Sequence, residues 1–187
     1  RGGPEKVQKA MSALTLTKMT ALRHLAAVGK VSYAVDWIVN HFEATGRPLV
    51  VMAHHRDVTQ GIEKELLSRE VESDQGTRRL RVGRILGGMA EAQRTADKDA
   101  FQAGKLDVLV CSIQAAGVGL TLTAASETLF VERAWRPSDL VQAEDRIWRI
   151  GQDNKCTITY LDAAGTIDEN IGEMLVSKQS TIAGGIG

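Results

Sequence analysis

The sequence contains no long hydrophobic run. Its longest apolar stretches, such as Leu49 to Ala53, fall far short of the ~20 residues needed to cross a bilayer. The opening Arg1-Gly2-Gly3-Pro4 lacks the apolar centre of a secretory leader, so an intracellular protein with no membrane partner is expected. Cysteine is scarce. Cys111 and Cys156, the only two, each lie in an apolar β-like run, as small buried thiols do, and imply no disulfide or metal framework. His54 and His55 adjoin without a Cys, Asp or Glu cluster beside them, so no metal site is expected.

Phosphate-binding signatures are missing as well. No GxxxxGK[ST] occurs: Gly29-Lys30 and Gly104-Lys105 lack the earlier glycine and the following hydroxyl. Gly117-Val118-Gly119 is only part of a dinucleotide fingerprint, because Leu122 stands where its third glycine belongs. No Asp-Glu pair closes a strand to hold magnesium. The chain by itself therefore cannot build an ATP site.

What is present is a balanced, core-forming composition. Of 187 residues, 43% are hydrophobic, enough for one α/β domain, and 23 basic residues offset 23 acidic ones. The charge is unevenly spread. Arg1, Lys6, Lys9, Lys18, Arg23 and Lys30 face only Glu5 in the first 30 residues. Arg78, Arg79, Arg81 and Arg84 form a second basic group, while Asp162, Asp168, Glu169 and Glu173 make the end acidic. A basic face for a polyanion can exist despite the neutral total.

Periodicity orders the chain. Leu14, Leu16, Met19, Leu22, Leu25 and Ala26 are spaced for a helix that stops at Gly29, and Val31, Val35, Ile38 and Phe42 for a second ending at Gly46. This N-terminal helical segment, residues 1–46, is expected to pack on a domain over 47–187. Strands are expected at 48–53, 80–86, 107–111, 128–131 and 156–161, with helices from Asp57, from Ala90 to Ala103, from Pro137-Ser138 and from Thr166 to about Ile182. Glu70 to Arg79 reads as a mobile polar loop. Such alternation specifies a doubly wound parallel sheet with helices on both faces.

In such sheets ligands gather beyond the carboxyl ends of the strands. Four stretches follow strands there: His54-His55-Arg56, Gly87-Gly88, Ser112 to Gly119, and Glu132 to Arg136. Each offers cationic, polar or glycine-exposed backbone groups. On the helix after Pro137, Gln142, Arg146 and Arg149 fall within about 60° of one another. Leu140, Ala143, Ile147 and Ile150 make a separate apolar face, rotated by about 110°. Two guanidiniums presented this way suit either a developing phosphoryl charge or surface ion pairs with Glu144 and Asp145.

Gln142-Ala143-Glu144-Asp145-Arg146-Ile147-Trp148-Arg149-Ile150-Gly151-Gln152 resembles motif VI, QAxDRxHRIGQ, of the SWI/SNF-like ATPases in helicase superfamily two. Ser112 to Ala125 resembles their motif V, and Trp135-Arg136-Pro137 the W-x-P after it. Leu49 to His55 is similar to motif IV, and Gly87-Gly88 with Arg94 and Phe101 to the next block. Ala53-His54-His55 and Gln142 to Arg146 look nearest the annealing-helicase branch.

This resemblance implies the second, C-terminal RecA-like lobe of a two-lobe, ATP-driven motor on double-stranded DNA, taken as a monomer. ATP and Mg²⁺ would be held mainly by an N-terminal RecA-like lobe outside this chain. Arg146 and Arg149 would be arginine fingers, with Gln142, Asp145 and Gly117 at the nucleotide. His55, Gly87, Gly88, Ser112, Gln114 and Trp135 would lie along the DNA backbone. Three positions depart from the pattern: Trp148 for His, Gln114 for a frequent Lys or Arg, and Gly88 for Ser or Thr. Two rival readings are a stand-alone nucleic-acid-binding module and an RNA-helicase lobe, whose motif VI, HRxGRxxR, fits less well. Abundant Ala, Gly, Arg and Val suggests a bacterial or phage-encoded cytoplasmic protein.

Overall fold

A computed structural model describes residues 4–74, 76–116, 122–134, 137–144 and 155–173. The chain opens with helices α1 (Pro4–Gly29) and α2 (Val31–Thr45), then strand β1 (Leu49–Ala53) and helix α3 (Arg56–Ser68). Short strands β2 (Glu70–Val71) and β3 (Arg78–Arg79) precede β4 (Val82–Ile85), α4 (Glu91–Gln102) and β5 (Val108–Ser112). Then come the four-residue α5 (Ile113–Ala116), β6 (Glu127–Phe130), α6 (Pro137–Glu144) and β7 (Thr157–Tyr160), with residues 167–173 helical.

Five strands form one sheet in the order β4-β5-β1-β6-β7, parallel in every pairing. β1 sits at the centre because its sequence, Leu-Val-Val-Met-Ala, has nothing polar for either face, and all five residues are buried. Alternate residues feed two cores. Val50, Met52, Leu109, Cys111 and Phe130 pack with Phe101 of α4 and Ala143 of α6. Leu49, Val51, Ala53, Val108 and Val110 pack with α2 and α3 through Val35, Ile38, Phe42, Ile62 and Leu66. Helices thus cover both faces, the doubly wound α/β arrangement expected from the alternation and the RecA-like one implied by the resemblance.

Local chemistry sets the element ends. Gly46 takes φ +63°, the left-handed conformation that closes α2, and its N–H donates to the Phe42 carbonyl. The Thr166 hydroxyl accepts the Asp168 N–H at 3.2 Å and starts helix 167–173. The segment 70–79 differs from the expected mobile loop: β2 and β3 pair as a short antiparallel ribbon. It is pinned because Arg78 reaches the buried Asp107 carboxylate at 2.7 and 2.9 Å, with its guanidinium over the Phe42 ring.

α1 differs from a core helix. Its last turns meet the lobe through Arg23 and Ala27, which are buried, but Leu14, Leu16, Leu22 and Leu25 are exposed. The 3.6-residue spacing correctly specified a helix, and the lobe covers only one side of its C-terminal end. No helix among the described residues is long and apolar enough to cross a membrane.

Candidate functional site at the carboxyl edge of the sheet

Parallel register brings the strand ends level. Ile85 pairs with Cys111, Ala53 with Ser112, and Met52 with Phe130. The segments following β4, β5, β1 and β6 therefore leave from one edge, as the sequence implied. Gly87 and Gly88 turn there, with Gly88 at φ +77°, a conformation costly for a side-chain-bearing residue. Next to them the Ser112 hydroxyl accepts the Ala115 N–H at 3.2 Å and starts α5. Gln114 on that turn is exposed. Arg94, one helix away, donates to the Ala115 carbonyl at 3.4 Å, tying α4 to α5.

The other two segments are joined by Glu132, a residue the sequence reading did not single out. Its side chain, 4% exposed, accepts the backbone N–H groups of His54 and His55 at 2.8 and 2.9 Å and meets His55 Nδ1 at 2.6 Å. A buried carboxylate satisfied three times over fixes the loop after β1 against the loop after β6. His55 is therefore held inward, with 19% of its side chain exposed. Its ring stacks on His24 of α1 at 4.4 Å and meets His54 edge-on at 5.0 Å. Burial pushes the His54 pKa down, with the nearby Glu132 charge pulling the other way.

α1 also reaches this edge. Arg23 donates to the Arg133 carbonyl at 2.6 Å, and His24 pairs with Asp57 at the start of α3. Arg133 itself is committed: it binds Asp162 at 3.0 and 2.7 Å and lies over the Tyr160 ring. Proximity in sequence gives no hint of these partners, which lie 110 and 29 residues away.

The arginine cluster lies elsewhere. Asp107 precedes β5 and Arg81 precedes β4, so Arg78 and Arg81 gather at the amino edge around one carboxylate. Burial would raise the Asp107 pKa, but hydrogen bonds from Arg78 and Arg81 prevail and hold it at about 2. Arg84 pairs with Glu63 at 3.1 Å. The basic group that offered one possible face for a polyanion is thus largely spent on internal ion pairs. Burial raises the pKa of both thiols, so neither cysteine is an activated nucleophile. Among the described residues no group of three or more His, Cys, Asp and Glu could hold a metal.

On α6, Gln142 is exposed and Ala143 is fully buried, matching the two faces expected for that helix. Arg146, Arg149, Asp145, Gly117 and Trp135 lie outside the described residues.

A parallel sheet covered on both faces, with its polar segments on one carboxyl edge, defines a doubly wound, RecA-like α/β lobe. The chain belongs to the helicase conserved C-terminal domain family, which matches residues 29–151. It is 35% identical over 179 residues to "SWI/SNF-related matrix-associated actin-dependent regulator of chromatin subfamily A-like protein 1" of Xenopus laevis, covering 95% of this chain and 17% of that protein. It is 34% identical over 161 residues to the human "DNA annealing helicase and endonuclease ZRANB3", covering 86% of this chain and 14% of that protein. A putative ATP-dependent helicase/translocase, YwqA of Bacillus subtilis, is 37% identical over 94 residues, covering 50% of this chain and 10% of that protein. The resemblance to the annealing-helicase branch of the SWI/SNF-like ATPases is borne out. The chain spans about one sixth of the length of the first two relatives.

In three dimensions the C-terminal part of the Fun30 ATPase domain superposes with a TM-score of 0.67 at 22% identity, covering 79% of this chain and 45% of that one, which supports the fold. The expectation of a bacterial or phage-encoded cytoplasmic protein is corrected by the same comparisons. The Xenopus and human relatives just named, which match most of this chain, come from animals, and composition alone had misdirected the assignment of source.

Proposed function

We propose that this chain is the second motor lobe of an ATP-dependent translocase on double-stranded DNA. The observation that carries the reading is the level register of β4, β5, β1 and β6, which delivers four polar segments to one edge in a chain of the helicase C-terminal family. ATP with Mg²⁺ would sit mainly on a first RecA-like lobe, and its γ-phosphoryl would supply the charge that this lobe's arginines neutralise. Arg146 and Arg149 are the fingers in this reading, with Gln142, Asp145 and Gly117 beside the nucleotide. The exposed Gln142 amide on α6 has the freedom such a contact needs.

His55, Gly87, Gly88, Ser112, Gln114 and Trp135 form this lobe's share of a phosphate track, which positions the duplex without reading its sequence. Exposed backbone at Gly87-Gly88 and the exposed Gln114 support that role. Inward-held His55, whose ring and backbone N–H are both taken by Glu132, would act by shaping the loop. Closure of two lobes around ATP and their reopening would move the track along DNA, a hinge motion of the kind nucleotide motors use.

The test is Arg149→Ala in the full-length protein. ATP turnover is expected to fall by roughly 10³ while duplex binding survives. Near-normal turnover would overturn the assignment of the fingers.

A further inference from the structure

On α1, Met11, Leu14, Lys18, Leu22, Leu25 and Val28 fall at i, i+3, i+7, i+11, i+14 and i+17, within about 120° of arc. The five apolar members are 47–69% exposed. Arg23 and Ala27, on the opposite side, are 8% and 1% exposed and make the contact with the lobe. Over its last turns the helix therefore sets its anchored side on the lobe and a seam of helix-packing spacing away from it, and the seam runs on through residues 11–18, which are exposed on every side, Leu16 included. Arg23 bonded to the Arg133 carbonyl and His24 stacked on His55 fix where the seam stands: beside the carboxyl edge of the sheet.

We infer that this seam docks on an amphipathic helix of the first motor lobe in the same polypeptide, with an acidic residue opposite Lys18. The inference rests on the reading of the chain as one of two lobes. Two observations select that occupant. Lys18 interrupts the apolar seam, and the seam has no carboxylate to face it, so a second copy would bring lysine to an apolar or cationic surface, whereas an acidic position on another helix satisfies it.

The area gives the second. Five side chains of on the order of 100 Å² each, a little over half exposed, offer about 300 Å² a side. Both partners together bury roughly 600 Å², at the lower end of contacts between domains of one chain and far below the ~1,600 Å² of independent complexes. A contact of that size holds when a covalent connection supplies the effective concentration.

The experiment uses the full-length protein. Zero-length carbodiimide coupling followed by peptide mass spectrometry is expected to join Lys18 to an Asp or Glu on a first-lobe helix. Hydrogen exchange is expected to show α1 amides protected over residues 11–25. In Leu14→Asp/Leu25→Asp the cross-link should be lost and those amides should exchange at least tenfold faster, while β1 amides keep their protection as the control for folding. A Lys18 cross-link to a second copy, or to nothing, with α1 exchange unchanged by the substitutions, would overturn the docking. The measurement is separate from turnover: loss of the two-lobe reading would show in Arg149→Ala, whereas loss of the docking would leave that result unchanged.

Discussion

Glu132 Oε1 lies 2.6 Å from His55 Nδ1, while the second oxygen of the same carboxylate takes both backbone N–H groups of residues 54 and 55. One side chain after β6 thereby determines the path of the chain after β1. Glu132→Ala removes two acceptor oxygens that take three hydrogen bonds in a buried site, and strands the donors. It is expected to destabilise the lobe by roughly 2–4 kcal/mol, read as a lowered urea midpoint at unchanged slope. Glu132→Gln keeps one acceptor oxygen and should lose less. Equal midpoints for wild type and Glu132→Ala would remove Glu132 as the organiser of this edge.

Asp107 makes a prediction in pH. Its folded pKa, about 2, lies below the ordinary 3.8, so folding favours the ionised form. The stabilisation is complete above pH ~4 and is lost as pH falls from about 4 through 2, amounting to roughly 2 kcal/mol. Asp107→Asn should lower stability by about that much at pH 7 and flatten the acid limb. Denaturant titrations at pH 2, 3, 4 and 7 measure both. A variant with the wild-type acid slope would show that another carboxylate controls it.

Lys30 and Asp168 are 4% and 9% exposed, and their charged atoms meet at 2.6 Å. Lys30 also donates to the Leu161 carbonyl at 2.8 Å, so it fastens the α1–α2 corner to the end of β7. Lys30→Met leaves a buried carboxylate without its cation and is expected to cost roughly 3–5 kcal/mol. Lys30→Met/Asp168→Leu removes both charges and should recover most of that. A double variant no more stable than Lys30→Met alone would show the two losses to be independent.

The isolated chain should hydrolyse no ATP, because it lacks a phosphate-binding loop. Any binding to duplex DNA should weaken steeply between 50 and 200 mM salt, since phosphate contacts are lost with counterion uptake. Fluorescence anisotropy with a labelled duplex gives the slope, and a coupled phosphate assay gives the turnover. Measurable hydrolysis would contradict the division of labour between lobes.

Much of the fold was legible because period and burial coincide. The unbroken apolar run at β1 announced a buried strand, and Val31, Val35, Ile38 and Phe42 marked the face of α2 that is buried. The convergence of four segments was legible too, as it follows from parallel connectivity alone. What escaped were contacts between residues far apart in sequence. Neither Glu132 gripping residues 54 and 55 nor Asp107 collecting Arg78 and Arg81 leaves a local pattern, and ionic residues read in isolation look like solvated surface. α1 failed in the opposite sense: its apolar spacing is real, but the lobe does not bury that side.

Gln114 and Gly88, two of the three departures from the family's motifs, stand exposed on turns beyond the ends of β5 and β4. The layers beneath them are sealed on both faces by α2, α3 and α4. Exchanging Gln114 for a cation therefore leaves the interior packing untouched, whereas a hydroxyl-bearing residue at Gly88 would have to take the left-handed φ of +77°. At Gln114 the proposed contact with a polyanion is thereby separable from conformational stability, whereas at Gly88 the two are tied through the backbone.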